Sequence, residues 1–349
     1  MRKEVHGGNI YKYDHEVVDF SANMNPLGMP DQIKEAIIEN IDKYENYPDP
    51  FNRELTEAIR KFYGIDPDRI CCGNGAADII FRIALALKPK KGLIVEPTFS
   101  EYKEALDVVS CQTYHHILTE EKNFILGEDV LQSMDKSYDI MFLCNPNNPT
   151  GIPVKRDLIL KIAKKCKDED ITLVIDECFT EFLDEEEKFS VMDQIEKLDH
   201  VIILKAFTKI YAMAGIRLGF CVCGDIKKAD LINQMLQPWS VSTVASKAGT
   251  KALSIPGFIE KTKEYVCVNR EYLLVELEKL GFKTFGAKAN YVFFKSDIEL
   301  ESALDRYNIL IRSCANYITL DKRFYRIAVR TKEENQYLID SLTKIREEM

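Results

Sequence analysis

Apolar residues recur in the first part of the chain with the spacing of amphipathic helices. In 31–44 and 52–63 they stand at i, i+3 and i+4, so that each segment would present one apolar face. Four later runs are apolar almost throughout: GLIVE, YDIMFLC, ITLVID and HVIILKA. Strands that are buried on both faces have this pattern, which is typical of a parallel sheet covered by helices. We therefore predict an α/β fold built on such a sheet.

The pattern changes after about residue 245. A long amphipathic stretch over 257–280 predicts a helix, and the shorter strands NYVFFK, ILIRSC and FYRIAV follow it, with Thr331 and Glu334 later in the spacing of a capping box. We expect a large domain over 31–245 and a smaller α+β domain over 246–349, with an N-terminal arm, 1–30, packing near the smaller one. One large domain with an appendage also fits the length of 349 residues.

Composition narrows the class of protein. The 47 basic and 56 acidic residues give a net charge of −9, which argues against a general nucleic-acid binder but leaves room for a local anion pocket. Ten scattered cysteines lie mostly in apolar runs, as buried reduced thiols do, and no further Cys or His cluster joins Cys221 and Cys223, so we expect no metal site. The N-terminus lacks the apolar core of a signal peptide, and no run approaches the roughly 20 apolar residues that span a bilayer, so we expect a cytoplasmic protein.

Four clusters with chemical potential follow predicted strands, where open α/β sheets bind ligands. The turn 73–76 precedes a helix and would offer N–H groups to a phosphate, although glycines also mark plain turns. The loop 145–151, NPNNPTG, is rigid and rich in amides. Asp176 ends a buried run, as a functional carboxylate, a helix cap or an ion-pair partner would. Lys209 and Arg217 stand eight residues apart in apolar surroundings, where each cation needs a partner unless it lies on a helix edge.

In this order and spacing the clusters resemble those of fold-type I pyridoxal-phosphate enzymes of the aminotransferase family, over nearly the whole chain. The resemblance implies a mostly parallel sheet sandwiched by helices in the large domain, a smaller α+β domain, and pyridoxal 5′-phosphate as cofactor. It further implies that Lys209 forms the Schiff base with the cofactor aldehyde and later transfers protons. Asp176 would pair with the pyridine nitrogen and keep it protonated.

The same resemblance implies the remaining cofactor contacts. Asn148 would hydrogen-bond the ring hydroxyl, and Phe99 would stack on the ring, with Tyr102 as the weaker alternative. The cofactor phosphate would be bound by Gly75, Ala76, Thr208 and Arg217. Tyr47, in NYPDP, matches a tyrosine that reaches the phosphate from the neighbouring subunit, so the resemblance implies a homodimer.

The finer motifs HGGN, DFSANMNPLG, PWSV, ILIRSCANY and RFYRIAVR together are similar to those of threonine-phosphate decarboxylases of the cobalamin pathway. The implied substrate is L-threonine O-3-phosphate, with L-serine O-phosphate as a second one. Arg326 would bind the substrate carboxylate near Asn25, with Asn23 as the alternative. His6 and Arg312 would form a second anion site, unless Arg312 pairs with an acidic loop and His6 lies in a disordered tail. The full implied set of substrate contacts is His6, Gly8, Asn25, Asn148, Arg312 and Arg326.

Other activities stay open at this point. Histidinol-phosphate aminotransferases share the core motifs and are the main alternative, although Phe179 stands where they typically have a tyrosine that bonds the ring oxygen. Ala206 and the run 76–78 also depart from the usual pattern and affect the details of phosphate binding. A non-catalytic binding module is disfavoured because Lys209 and Asp176 are both present. A dinucleotide-dependent dehydrogenase is disfavoured because its glycine fingerprint is incomplete.

Overall fold

The buried apolar runs form strands and the amphipathic segments form helices. The structure is a computed structural model of the chain and describes residues 6–348. The strands, in chain order, are β1 (Val18–Asp19), β2 (Ile70–Gly73), β3 (Lys91–Glu96), β4 (Gln112–Ile117), β5 (Ile140–Cys144), β6 (Thr172–Asp176), β7 (Val201–Ala206), β8 (Gly219–Cys223), β9 (Lys283–Thr284), β10 (Tyr291–Lys295), β11 (Ile309–Leu310), β12 (Arg312–Ser313) and β13 (Phe324–Ala328). The helices are α1 (Asp31–Glu39), α2 (Arg53–Tyr63), α3 (Ala76–Leu87), α4 (Glu101–Val108), α5 (Arg156–Asp168), α6 (Phe207–Ile210), α7 (Ile226–Gln234), α8 (Thr243–Ala252), α9 (Phe258–Lys279), α10 (Leu300–Asp305) and α11 (Lys332–Glu347).

The central sheet has seven strands in the order β2-β8-β7-β6-β5-β3-β4. Its strands run parallel except β8, which is antiparallel to both β2 and β7. Strands β5, β7 and β8 are buried along their whole length, which explains why their sequences are apolar without alternation. The predicted α/β class with a mostly parallel sheet is confirmed.

A second sheet is antiparallel and has the order β12-β13-β10-β9. The stretch ILIRSC, predicted as one strand, forms two: β11 pairs with β1, whereas β12 pairs with β13. Because successive parts of the stretch pair with different strands, it breaks at Ile311. The pairing of β1 with β11 places part of the predicted arm against the C-terminal region, while residues 1–5 of that arm lie outside the described residues. The division into domains at residues 30 and 245 stays a prediction.

Local signals fix several helix ends. Helix α2 ends at Gly64, whose positive φ of 69° lets its N–H bond to the Arg60 carbonyl. The predicted capping box is confirmed, since Thr331 and Glu334 bond reciprocally at the start of α11. The helix predicted over 257–280 is α9, with 22 residues.

None of the described helices is both long and apolar enough to span a membrane.

A buried ion cluster lies beside β7. The Nζ atom of Lys205 donates to the Thr180 hydroxyl at 2.6 Å and lies 3.0 Å from Glu181 Oε1 and 3.3 Å from Glu186 Oε1. Burial lowers the pKa of Lys205, but the carboxylates of Glu181 and Glu186 more than reverse this effect, so that its pKa stands well above the ordinary value. The cluster therefore keeps a charged lysine inside the fold.

Candidate active site

A cavity of about 330 Å³ opens where β5, β6 and β7 end. The last residues of these strands, Cys144, Asp176 and Ala206, all contribute to its wall. Parallel strands bring their carboxyl ends to one edge of the sheet, so loops from distant parts of the sequence meet there. Of the residues predicted for the site, the cavity wall includes His6, Ala76, Phe99, Asn148, Asp176, Thr208, Lys209, Arg217, Arg312 and Arg326.

Asp176 presents a buried carboxylate to the cavity. Its Oδ2 accepts a hydrogen bond from the Tyr102 hydroxyl at 2.6 Å, and its Oδ1 accepts one from the Cys178 N–H at 3.0 Å. Among residues 6–348, no cation forms an ion pair with it, although only 6% of Asp176 is exposed. A buried carboxylate in this state is suited to a cationic or N–H ligand that enters the cavity.

Tyr102 cannot be the stacking residue, the weaker of the two possibilities drawn from the sequence. It is fully buried, stacks on Phe142 with ring centroids 5.0 Å apart, and is not part of the cavity wall. Burial and the adjacent Asp176 raise its pKa well above the ordinary value, so it stays protonated and acts as a hydrogen-bond donor. Phe99, the preferred candidate, lines the cavity.

Lys209 lies in the short helix α6 immediately after β7. Among the described residues, its Nζ forms no hydrogen bond or ion pair. Burial, together with the positive charges of Arg326 and Arg217, lowers the pKa of Lys209 from 10.5 to about 8. A substantial fraction of neutral amine therefore exists near neutral pH, as a nucleophilic lysine requires.

The turn between β2 and α3 forms an anion cradle, but one predicted donor is occupied. The N–H of Gly75 bonds to the Gly73 carbonyl at 2.8 Å, so it is not available to a ligand. The N–H groups of Ala76 and Ala77 open helix α3, where they have no partner within the helix, and both residues line the cavity. Ala77 therefore replaces Gly75 as a candidate donor. The predicted phosphate-binding turn, 73–76, ended one residue before it.

Gly75 has a steric role instead. Its φ is +87°, and a Cβ at this position would lie 2.5 Å from Nη2 of Arg217. The guanidinium therefore packs directly over the turn, while its Nη1 donates to the Ala214 carbonyl at 3.2 Å. Arg217 reaches the cradle only because residue 75 has no side chain.

In the loop NPNNPTG, one asparagine side chain anchors the loop and another lines the cavity. Asn147 donates to the Pro97 carbonyl at 2.9 Å, and its own carbonyl accepts from the Tyr291 hydroxyl at 2.8 Å. Asn148 lines the cavity, and its Oδ1 accepts a hydrogen bond from Nη1 of Arg326. The sequence spacing alone did not indicate this contact between Asn148 and Arg326.

Two arginines from paired strands of the second sheet line the cavity. Arg312 and Arg326 are directly paired residues of the antiparallel strands β12 and β13, so they lie on the same face of that sheet. Arg326 is buried and donates to the Ser21 carbonyl at 2.7 Å, whereas Arg312 donates to Asn316 at 2.7 Å. Like charges directly opposite each other on neighbouring strands are unfavourable. The pair therefore favours an anionic ligand.

The preferred assignment of Asn25 to the substrate carboxylate is wrong. Its Nδ2 donates to the Ile210 carbonyl at 2.6 Å and to Thr262 at 2.9 Å, and its Oδ1 accepts from the Leu27 N–H at 2.9 Å. The side chain is thus occupied in holding the loop and does not line the cavity. Asn23, the alternative, does line it, and its buried Oδ1 has no hydrogen-bond partner among the described residues.

Two further predicted residues lie outside the cavity wall. Gly8 donates its N–H to the Ser21 hydroxyl at 2.7 Å, so it anchors the arm rather than contacting the cavity. Tyr47 is 79% exposed and stacks on Trp239, with ring centroids 4.4 Å apart. Four further residues line the cavity without a predicted role: Ser21, Ala22 and Tyr317, which lie inside the quoted motifs DFSANMNPLG and ILIRSCANY, and Glu101.

A cysteine cluster lies apart from the cavity wall. The sulfur atoms of Cys71, Cys221 and Cys223 are all within 4.8 Å of one another, because β2 pairs Cys71 with Cys221 of β8. The sequence shows no second Cys or His cluster that would complete a zinc pattern, and it did not indicate that Cys71 lies beside Cys221 and Cys223. Contact with the neighbouring Cys221 thiol and burial raise the pKa of Cys71 well above its ordinary value.

Comparison with known proteins agrees with this geometry. The chain matches the aminotransferase class I and II family over residues 15–342. Threonine-phosphate decarboxylase of Salmonella typhimurium is 36% identical over 97% of this chain and 96% of its own length. The adenosylcobalamin biosynthesis bifunctional protein CobDQ of Leptospira interrogans is 34% identical over 99% of this chain and 41% of its own length.

Among solved structures, the histidinol-phosphate aminotransferase of Clostridium acetobutylicum superposes with a TM-score of 0.88 at 29% identity, covering 95% of this chain and 99% of that one. The central sheet, the cavity at its edge and the family match over 15–342 agree with one another. The chain belongs to the aminotransferase class I and II family.

Proposed function

We propose that this protein is a pyridoxal-phosphate-dependent carboxy-lyase in cobalamin synthesis. It converts L-threonine O-3-phosphate into (R)-1-aminopropan-2-yl phosphate and CO2, and it accepts L-serine O-phosphate as a second substrate, giving ethanolamine phosphate. The observation that carries the substrate class is the Arg312–Arg326 pair beside Lys209 and Asp176, which suits a ligand with two anionic groups. The 36% identity to a threonine-phosphate decarboxylase supports the reaction.

The cavity fits pyridoxal phosphate in two independent ways. The buried Asp176 carboxylate lacks a cationic partner among the described residues, as an acceptor for a pyridinium N–H would. The cradle of Ala76, Ala77 and Arg217 is open because residue 75 lacks a Cβ. We infer that these residues and Thr208 bind the cofactor phosphate, and that Phe99 packs on the ring. Asn148, whose oxygen is held by Arg326, donates its amide N–H to the ring hydroxyl.

Each remaining side chain has a distinct task in the reaction. Bound pyridoxal phosphate would supply an acceptor for the electron pair that is released when the bond from the α carbon to the carboxylate breaks and CO2 leaves. Lys209 then delivers the proton that the α carbon needs. Asp176 keeps the ring nitrogen protonated, and Arg326 with Asn23 orients the carboxylate. Arg312 and His6 hold the substrate phosphate.

The reaction itself is tested by incubating the protein with O-phospho-L-threonine and no keto acid. We expect CO2 and the phosphorylated amino alcohol in equal amounts. O-phospho-L-serine should react as well, since one methyl group discriminates by only about 1–3 kcal/mol. No CO2, together with amino-group transfer from histidinol phosphate to 2-oxoglutarate, would establish the aminotransferase instead.

Asp176→Asn should leave the cofactor bound but lower kcat roughly 100-fold or more, because a neutral amide no longer stabilises the charge on the ring. Asp230→Asn is the control, since it makes the same change at an exposed residue of α7 that does not line the cavity. Stopped-flow and steady-state kinetics measure both variants. A loss below about tenfold for Asp176→Asn would assign that residue a purely structural role.

The lowered pKa of Lys209 predicts how fast the apoenzyme takes up its cofactor at different pH values. The neutral amine is the reactive form, so the rate of covalent capture should rise about tenfold per pH unit and level off above the pKa of about 8. Arg326→Gln removes a positive charge that lowers this pKa, so the inflection should move to higher pH. Absorbance of the lysine-bound cofactor measures the rate, and an inflection at 10.5 in the wild type would contradict the assignment.

We further propose a homodimer in which Tyr47 reaches the partner's cofactor phosphate. Large exposed apolar side chains occur within ten residues of it in the sequence, namely Ile38, Ile41 and Phe51, each more than 60% exposed. Tyr47→Phe should therefore weaken cofactor binding about tenfold, whereas Tyr11→Phe, at a residue 90% exposed, should not. Equilibrium dialysis and sedimentation test this, and a fully active monomer at assay concentration would refute it.

The protein's setting and organisation complete the proposal. We infer a cytoplasmic enzyme, because its ten cysteines are all unpaired and nine of them are buried. We also propose the division into an arm, 1–30, a cofactor-binding domain, 31–245, and a small domain, 246–349. The seven-stranded sheet lies within 31–245 and the four-stranded sheet within 246–349, which supports this division. Recovery of the active enzyme outside the cytosol after cell fractionation would contradict the location.

A further inference from the structure

Glu101 is a carboxylate in the cavity wall for which the proposed reaction has no role. It is the first residue of α4, where the helix dipole favours a negative charge, and 12% of its side chain is exposed. The Ser100 hydroxyl donates to Oε2 at 3.0 Å, and Oε1 lies 2.7 Å from Nε2 of His6. One oxygen is therefore fixed within the helix start, and the other is directed at the arm.

The arm that carries His6 is held from two sides. A Cβ on Gly7 would overlap the Ser21 carbonyl oxygen, and the Gly8 N–H bonds to the Ser21 hydroxyl at 2.7 Å, so the two glycines lie flat against Ser21. On the other side, the His6 ring packs near Phe99, with centroids 5.9 Å apart, and meets Glu101. The contact with Glu101 is the only polar contact of the His6 ring among the described residues.

The negative charge of Glu101 explains why this carboxylate needs the His6 ring beside it. A bare carboxylate in this wall would repel a substrate that carries a phosphate and a carboxylate. With Nε2 turned to Glu101, Nδ1 is the nitrogen left to meet a ligand, and it donates to a phosphate oxygen when the ring is an imidazolium. The Glu101–His6 pair then faces the ligand as a donor in the same cavity as Arg312 and Arg326.

We propose that Glu101 is a positioning residue that holds His6 in place for the phosphate of a phosphorylated amino acid. The inference rests on the proposed function, since it deepens the substrate site of that reaction. Glu101 contacts His6 and Ser100 but neither Lys209 nor Asp176, so it should govern affinity for the phosphorylated substrate and not the bond-breaking step.

The test compares Glu101→Gln with the matched control Glu104→Gln, which removes an exposed carboxylate from the same helix. Glu101→Gln should raise KM for O-phospho-L-threonine about tenfold, the effect of weakening one charge-assisted hydrogen bond, with kcat changed less than about twofold. Glu104→Gln should change neither constant. The thermal midpoint and cofactor absorbance of the holoenzymes show whether folding and cofactor binding are preserved.

A double variant distinguishes a positioning role of Glu101 from a direct contact between Glu101 and the substrate. If Glu101 acts through His6, adding Glu101→Gln to His6→Asn should raise KM no further than His6→Asn alone. Multiplied effects would overturn the inference, as would an unchanged KM for Glu101→Gln. Binding of L-threonine, which lacks the phosphate, should be the same in the Glu101→Gln and wild-type holoenzymes, and a matching loss for this ligand would also overturn it.

Direct binding distinguishes failure of this inference from failure of the proposed reaction. Calorimetric titration of each holoenzyme with O-phospho-L-threonine measures affinity whether or not CO2 is released. Weaker binding by Glu101→Gln without any CO2 from the wild type would retain the phosphate site and reject the lyase. CO2 release with equal affinities in both proteins would retain the lyase and reject the role of Glu101.

Discussion

The in-register pairing of β5, β6 and β7 is the constraint on which the site depends. Cys144 pairs with Asp176, and Asp176 with Leu204, so the three strands end at nearly the same level. The ladder continues one step beyond, as the Asn145 N–H bonds to the Asp176 carbonyl at 2.9 Å and the Glu177 N–H to that of Leu204 at 3.0 Å. The loops that follow therefore leave from fixed points, and Asn148, Asp176 and Lys209 reach one cavity without a flexible connection.

Because successive residues of a strand point to opposite faces of the sheet, the neighbouring carboxylates of Asp176 and Glu177 have different surroundings. Asp176 faces the cavity, whereas Glu177 is fully buried and lies 3.5 Å from Lys205 on the far side. Burial raises the pKa of Glu177 to about 7 against the lowering effect of Lys205. Removing one partner of such a buried cluster leaves an uncompensated charge, which costs roughly 3–5 kcal/mol. The ion cluster thus stabilises β7, the strand that leads into the helix with Lys209, although none of its side chains lines the cavity.

The sequence predicted what depends on local pattern and failed where the outcome depends on long-range contacts. Buried runs gave the strands, and spacing gave Lys209 and Arg217. The choice between Asn23 and Asn25 could not be made, because both lie in one loop and the amide of Asn25 is occupied by Ile210 and Thr262, which are 185 and 237 residues away in the sequence. Cys71 joined Cys221 through the pairing of β2 with β8, which no local pattern specifies. Glu101 was missed because the start of α4 could equally well have turned its side chain to solvent.

The charge of the cavity bears on the choice between lyase and aminotransferase. Arg312 and Arg326 repel each other at paired positions, so a ligand that brings an anion to each stabilises both at once. Threonine phosphate carries its carboxylate and phosphate on one molecule and can do this in a single complex. Histidinol phosphate has no carboxylate, so an aminotransferase would fill the second position only when its dicarboxylate partner binds. The paired arginines are therefore used more fully by one substrate with two anions than by two substrates that bind in turn.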